Sequence, residues 1–228
     1  MRNKDTFNTL NIVTCAMLSA LAVILGSAVH HLSGGNTDIA SFISPMHFPV
    51  LLAGILCGPW LGLICGALAP LISYLTSGRP PFPNGLIPML LELAAYGFLT
   101  GLFRKIFLKN PKVNRFASII ALVLAMVSGR LVNAIAGAAI IAIGGKANFF
   151  VAFGTKLLGN FTSTWGGTIA QLILIPAILF ALQKGGILLK YLPDTPTVKP
   201  ANADSNKQIE SVVASTESET SSENEKRQ

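Results

Sequence analysis

From Phe116 to Ile143 the chain reads FASIIALVLAMVSGRLVNAIAGAAIIAI, an apolar run broken by one charge, Arg130. Any fold that accepts this run has to keep the guanidinium away from hydrocarbon, because an unpaired arginine there costs about 3 kcal/mol or more. Arg130 must face protein, water or an anion. Glu92, inside Leu86 to Phe103, is the one other charge set within such a run. Two opposite charges, each alone in its own helix of membrane length, mark a polar focus as the place where function lies.

The rest of the composition fits a lipid solvent. The chain is 51% hydrophobic and 12% charged, with a mean hydropathy of +0.59, and several windows approach the length needed to cross ~30 Å of hydrocarbon. The formal charge of +7 is unevenly spread. Residues 1–193 hold 13 Lys/Arg against three acids (Asp5, Asp38, Glu92), and residues 194–228 hold four against seven. The basic excess falls in loops that flank membrane segments, which argues against a nucleic-acid partner.

Six spans are expected: Thr9 to Val29, Met46 to Gly58, Trp60 to Leu75, Leu86 to Phe103, Phe116 to Ile143, and Trp165 to Leu182 with an extension toward Leu192. Arg2 and Lys4 before the first span resemble a signal peptide, but the run is too long and more spans follow, so a retained helix is expected. The second run is short, ~20 Å as a helix, and is either tilted and completed by Phe42 to Pro45 or only partly spanning. Pro45, Pro49, Pro59 and Pro70 interrupt backbone hydrogen bonding around it, so this hairpin is expected inside the bundle or along a cavity. Gly144 to Ser163 mixes Lys146, Asn148, Lys156 and Asn160 with aromatic and aliphatic residues, as a short interfacial helix does. The Asn160-Phe161-Thr162 sequon carries no weight. From Pro193 onward the composition is that of a disordered tail, leaving residues 1–192 as the membrane domain.

Arg104, Lys105, Lys109, Lys112 and Arg115 crowd the loop after the fourth span, and Arg2 with Lys4 precedes the first. Both termini and this loop are therefore expected in the cytoplasm. His30 to Ser44 and Ser77 to Gly85 (SGRPPFPNG) become outward loops, the first with Gly34-Gly35 for freedom and the second stiffened by prolines.

On this topology Glu92 and Arg130 reach similar depth if the fifth run, too long for the membrane, protrudes outward by a turn or two. Arg130 suits an anionic ligand with Glu92 orienting it; the alternative is an ion pair that braces two helices. Asn133 lies on the Arg130 face, and Tyr96 lies one turn from Glu92. Thr164, Thr168 and Gln171, at spacings of four and three, form a polar stripe beside Trp165 that fits either ligand contacts or helix-to-helix bonds, with Trp165 also suited to an interfacial belt. His47, at the head of the second span, and Asn84, in the proline-rich loop, complete the candidate substrate contacts; for His47, capping or loop contacts also fit. No His, Asp, Glu or Cys spacing supports a metal, and Cys15, Cys57 and Cys65 read as small core residues. No nucleophile with its base, carboxylate pair or phosphate-cradling loop is present, so neither an enzyme nor a cofactor is expected. Ala16 and Ala20 give the first span a small face that admits close approach of another helix.

The string SPMHFPVLLAGILCGPWLGLICGALAPLISYLTSGRPPFPNGLIPMLLELAAYGFLTGLF, with six spans, a short broken second one and the basic loop, resembles the substrate-binding S components of energy-coupling factor (ECF) vitamin transporters. MHFPVLLAG, ELAAYG, SGRLVNAIAG and GGTIAQLILIPA resemble the pantothenate-type branch most. The resemblance implies an all-α six-helix bundle in a bacterial plasma membrane that captures a vitamin from outside. Its pocket would be built by the last three helices and closed by two outward loops, here His30 to Ser44 and Ser77 to Gly85. It further implies docking through an AxxxA face, matched by Ala16 and Ala20, on a transmembrane coupling protein that carries two cytoplasmic ATPases, with release by toppling. Pantothenate, a carboxylate with an amide and two hydroxyls, suits Arg130 with Asn133, Thr164, Thr168 and Gln171. A hydroxymethylpyrimidine-like or purine-like ligand would put Glu92 first. A scaffold protein braced by its buried charges is the reading from a different class.

Overall fold

The computed structural model describes residues 8–34, 36, 42–108 and 117–184. The chain divides into two units, Met1–Asp194 and Thr195–Gln228, and every described residue belongs to the first. The expected tail and the extension to Leu192 lie outside the described residues. So do Lys109, Lys112 and Arg115 of the basic loop, and Gly35 with residues 37–41 of the first outward loop.

The described residues are helical for most of their length: α1 Thr9–Leu32, α2 His47–Cys57, α3 Pro59–Ser77, α4 Leu86–Leu108, α5 Ala117–Ile143, α6 Phe149–Ser163 and α7 Trp165–Lys184. Five of them, α1, α3, α4, α5 and α7, are long and apolar enough to cross a membrane. The second run is an 11-residue helix, ~16 Å long and short of a full crossing, which matches the partly spanning alternative. Ten residues of α2 are buried, and beyond His47 it is apolar all round because protein surrounds it. It packs on α1, α3 and α4, which puts this arm of the proline-rich hairpin inside the bundle, whereas α3 buries one face and leaves Trp60, Leu71 and Leu75 exposed.

Lipid provides little hydrophobic drive between helices, so association depends on close packing and hydrogen bonds. At the α3–α4 crossing the backbones touch. A Cβ on Gly62 would stand 2.4 Å from the Gly97 carbonyl oxygen, and one on Gly97 would stand 2.0 Å from that of Gly62. One turn along, a Cβ on Gly66 would meet the Leu93 carbonyl oxygen at 2.1 Å. The sequence spells this contact as Gly62-x-x-x-Gly66 against Gly97-x-x-x-Gly101, a small-residue pattern that marks where helices meet in lipid. Gly58, at φ +91°, makes the sharp turn from α2 into Pro59, the first residue of α3.

Cys15, Cys57 and Cys65 are free and buried, as expected of small core residues. Cys15 Sγ donates to the Leu61 carbonyl at 3.2 Å. Arg104 departs from expectation. α4 runs on to Leu108 and buries this arginine to 4% exposure instead of leaving it in a loop. Its Nε donates to Ser118 Oγ on α5 at 3.0 Å. The expected interfacial segment is the 15-residue α6, which packs along α5.

Candidate functional site

Glu92 and Tyr96 lie one turn apart on α4, and the Tyr96 hydroxyl donates to Glu92 Oε1 at 2.8 Å. The phenol ring fits there because α5 presents Gly129, where a Cβ would stand 2.4 Å from the ring. Asn133, one turn further along α5, donates Nδ2 to Glu92 Oε2 at 2.7 Å. His47 at the start of α2 brings Nε2 to 3.7 Å from Glu92 Oε1, with its ring edge-on to Tyr96 at 5.2 Å. Its Nδ1 is buried without a hydrogen-bond partner among the described residues. Both carboxylate oxygens of Glu92 are thus held by neutral donors from α4 and α5.

Arg130 is held from the other side. Its guanidinium donates to the Asn160 carbonyl at 2.5 Å, to Thr164 Oγ1, and to Thr168 Oγ1 at 2.6 Å. Thr164 and Thr168 each give their own hydrogen to a carbonyl one turn back, Asn160 at 2.5 Å and Thr164 at 2.9 Å, which leaves oxygen lone pairs for the arginine. The Phe161 ring lies 5.6 Å from the guanidinium carbon, within cation–π range. Glu92 and Arg130 are both buried, at 7% and 4% exposure, yet no direct ion pair joins them. Asn160 Nδ2 donates to Asn133 Oδ1 at 3.0 Å and links the two halves.

Arg130, Glu92, Asn133, Tyr96, His47, Thr164 and Thr168 therefore meet in one network. Gln171 of the expected stripe and the neighbouring Trp165 do not join it. Gln171 Nε2 donates to the Ser44 carbonyl at 3.1 Å, and Trp165 packs edge-on against Phe42 at 5.2 Å, so both anchor the segment that leads into α2. Gly166 and Gly167 admit that segment, since a Cβ on either would strike Phe42 or Ile43. Thr164 belongs to the break between α6 and α7 and not to the last span. Asn84 is exposed and lines a separate cavity with Lys146 and Lys156. Ala16 and Ala20 are exposed on α1, away from the buried Cys15, Leu18, Ser19 and Ala22.

Asn160 is the residue that sequence reasoning missed. Lys156, Asn160, Thr164 and Thr168 recur every four residues, so the stripe could have been followed one turn upstream.

The chain matches the family model of the ECF transporter substrate-specific component over residues 10–190. It belongs to that family. As an S component it is a substrate-specific transporter subunit and not an enzyme, and it works with a membrane-embedded ECF module and its ATPases. No curated protein and no solved structure matches the chain. The match spans the described helices from Leu10 onward, so the polar network lies within the family's own bundle and not in an appended segment.

Proposed function

We propose that this S component captures a small carboxylate vitamin, pantothenate first among them, with Arg130 receiving the carboxylate. The observation that carries this reading is a buried cation bonded only to neutral oxygens among the described residues. Burying a charge without a counter-charge is costly, and a bound carboxylate supplies one. The bonds described use three of the five guanidinium N–H donors, so donors are left for a ligand. Asn133, Asn160, Thr164 and Thr168 offer partners for an amide and hydroxyls, while Glu92 with Tyr96 holds Asn133 in place.

In this proposal the Asn84 end of the bundle faces outside a bacterial plasma membrane and both termini are cytoplasmic, on the strength of the basic residues around Arg104. Delivery proceeds by toppling on a transmembrane coupling protein with two cytoplasmic ATPases, and Ala16 with Ala20 forms the docking face. Thermal unfolding of the purified chain tests the ligand class. Pantothenate at one hundred times its Kd is expected to stabilise by about 2.7 kcal/mol, and its neutral alcohol analogue pantothenol to do far less. Equal stabilisation by both would remove Arg130 from carboxylate recognition.

One observation favours a second reading. His47 Nδ1 is buried without a described partner beside Glu92, an arrangement that also suits a hydroxymethylpyrimidine-like or purine-like heterocycle. Stabilisation by such a ligand and not by pantothenate would select it.

A further inference from the structure

A cavity of about 590 Å³ opens beyond the polar network, walled by Ile140 and Ile141 of α5, Pro83 and Asn84 of the α3–α4 loop, and two lysines, Lys146 and Lys156. That volume lies in the range of small-molecule sites. No carboxylate is among the described residues that line it, and the sequence from Leu93 to Pro193 contains no acid. Lys156 is positioned by packing. A Cβ on Gly137 would lie 3.3 to 3.6 Å from the Lys156 Cε, Cδ and Cγ atoms, so the aliphatic stem rests on α5 where that helix has no side chain.

The register connects this cavity to the buried arginine. Lys156 precedes Asn160 by one turn of α6, and Asn160 is the residue whose carbonyl and amide contact Arg130 and Asn133. Gly137 follows Arg130 by seven residues of α5, ~10 Å along its axis. Lys146 and Lys156 thus line a cavity whose Gly137 wall shares α5 with Arg130. We propose that the Lys146–Lys156 cavity is an anion-capturing vestibule, distinct from the Arg130 seat, that concentrates a small carboxylate solute and passes it inward. This rests on the carboxylate reading given under Proposed function. Its separate content is kinetic: a vestibule accelerates arrival, because a concave site of one charge sign raises encounter rates, whereas the final seat sets residence. The same ammonium groups suit a lipid phosphate, and the choice of bilayer separates the two sources.

The test measures association and dissociation of radiolabelled pantothenate on the full chain in phosphatidylcholine nanodiscs at low and high salt. Lys146→Gln with Lys156→Gln is expected to slow association roughly three- to tenfold at low salt, to flatten its salt dependence, and to leave dissociation unchanged. Lys146→Arg with Lys156→Arg should restore the rate. Unchanged association in the Gln variant overturns the vestibule, and faster dissociation with normal association also overturns it by moving the lysines into the final seat. If phosphatidylglycerol nanodiscs slow wild-type association as much as the Gln variant does, a lipid headgroup is the occupant and the proposal falls. If wild-type protein binds none of pantothenate, biotin and nicotinate, the carboxylate reading itself falls and takes the vestibule with it, an outcome distinct from binding that ignores the lysines.

Discussion

Asn160 donates its amide to Asn133 at 3.0 Å, and this side-chain pair spans the gap between a buried carboxylate and a buried guanidinium that do not touch. Asn133 donates onward to Glu92, and the Asn160 carbonyl accepts from Arg130, so two neutral amides connect opposite charges. A direct ion pair would satisfy both charges internally. Separation leaves the arginine facing neutral groups, where an anion gains most.

Arg130→Gln is expected to weaken pantothenate binding by tenfold or more, since a hydrogen bond to a charged group is worth ~1.5 to 3 kcal/mol. Isothermal titration of monodisperse protein checks this, and unchanged affinity would refute the role. Glu92→Gln separates positioning from bracing. A folded protein with weakened binding indicates positioning, and failure to fold indicates a brace.

The amide bridge predicts coupling. Asn133→Ala should lower stability by ~1 to 3 kcal/mol by stranding the buried Glu92 carboxylate, and Asn160→Ala by less, since its side-chain partner Asn133 is only half-buried. In a double-mutant cycle the two losses should fail to add by ~0.5 to 3 kcal/mol, as expected for groups in one network. Additive shifts in thermal unfolding would mean that the bridge transmits nothing.

Gly97→Leu should prevent assembly of the bundle, because even a Cβ there would stand 2.0 Å from the Gly62 carbonyl oxygen. Gly154→Leu on α6, where a Cβ meets nothing within 4 Å, should fold normally. Size-exclusion profiles of the two variants provide the comparison, and a monodisperse Gly97→Leu protein would contradict the described crossing.

Ala16→Trp and Ala20→Trp place bulk on an exposed face of α1 outside the polar network. Vitamin binding by the isolated chain should remain near normal, while co-purification with the coupling protein and ATP-dependent uptake are lost. Uptake that survives both changes together would move the docking face elsewhere.

Much of the site is legible in the sequence because hydrocarbon punishes polar residues. Arg130, Glu92, Asn133, Tyr96 and Thr168 stand out as exceptions in apolar runs, and helical periodicity alone places Tyr96 beside Glu92. Asn160 is hidden because α6 is a mixed segment in which a polar residue is unexceptional. Arg104 is misplaced for a related reason: a cluster of basic residues marks a membrane boundary, but it does not say on which residue the helix stops.

The sequence by itself determined that the chain is a helical membrane bundle, where its long helices lie and which side chains are too costly to face lipid, since these follow from local apolar length and period. Tertiary structure alone decided that α2 is buried on all sides, that α3 and α4 cross on Gly62 and Gly97, and that Glu92 and Arg130 are bridged and not paired. It also turned Trp165 and Gln171 toward Phe42 and Ser44. Those outcomes depend on which helix faces which and at what distance, and a hydrogen bond is won or lost within about half an ångström, far below what residue spacing along one helix can specify.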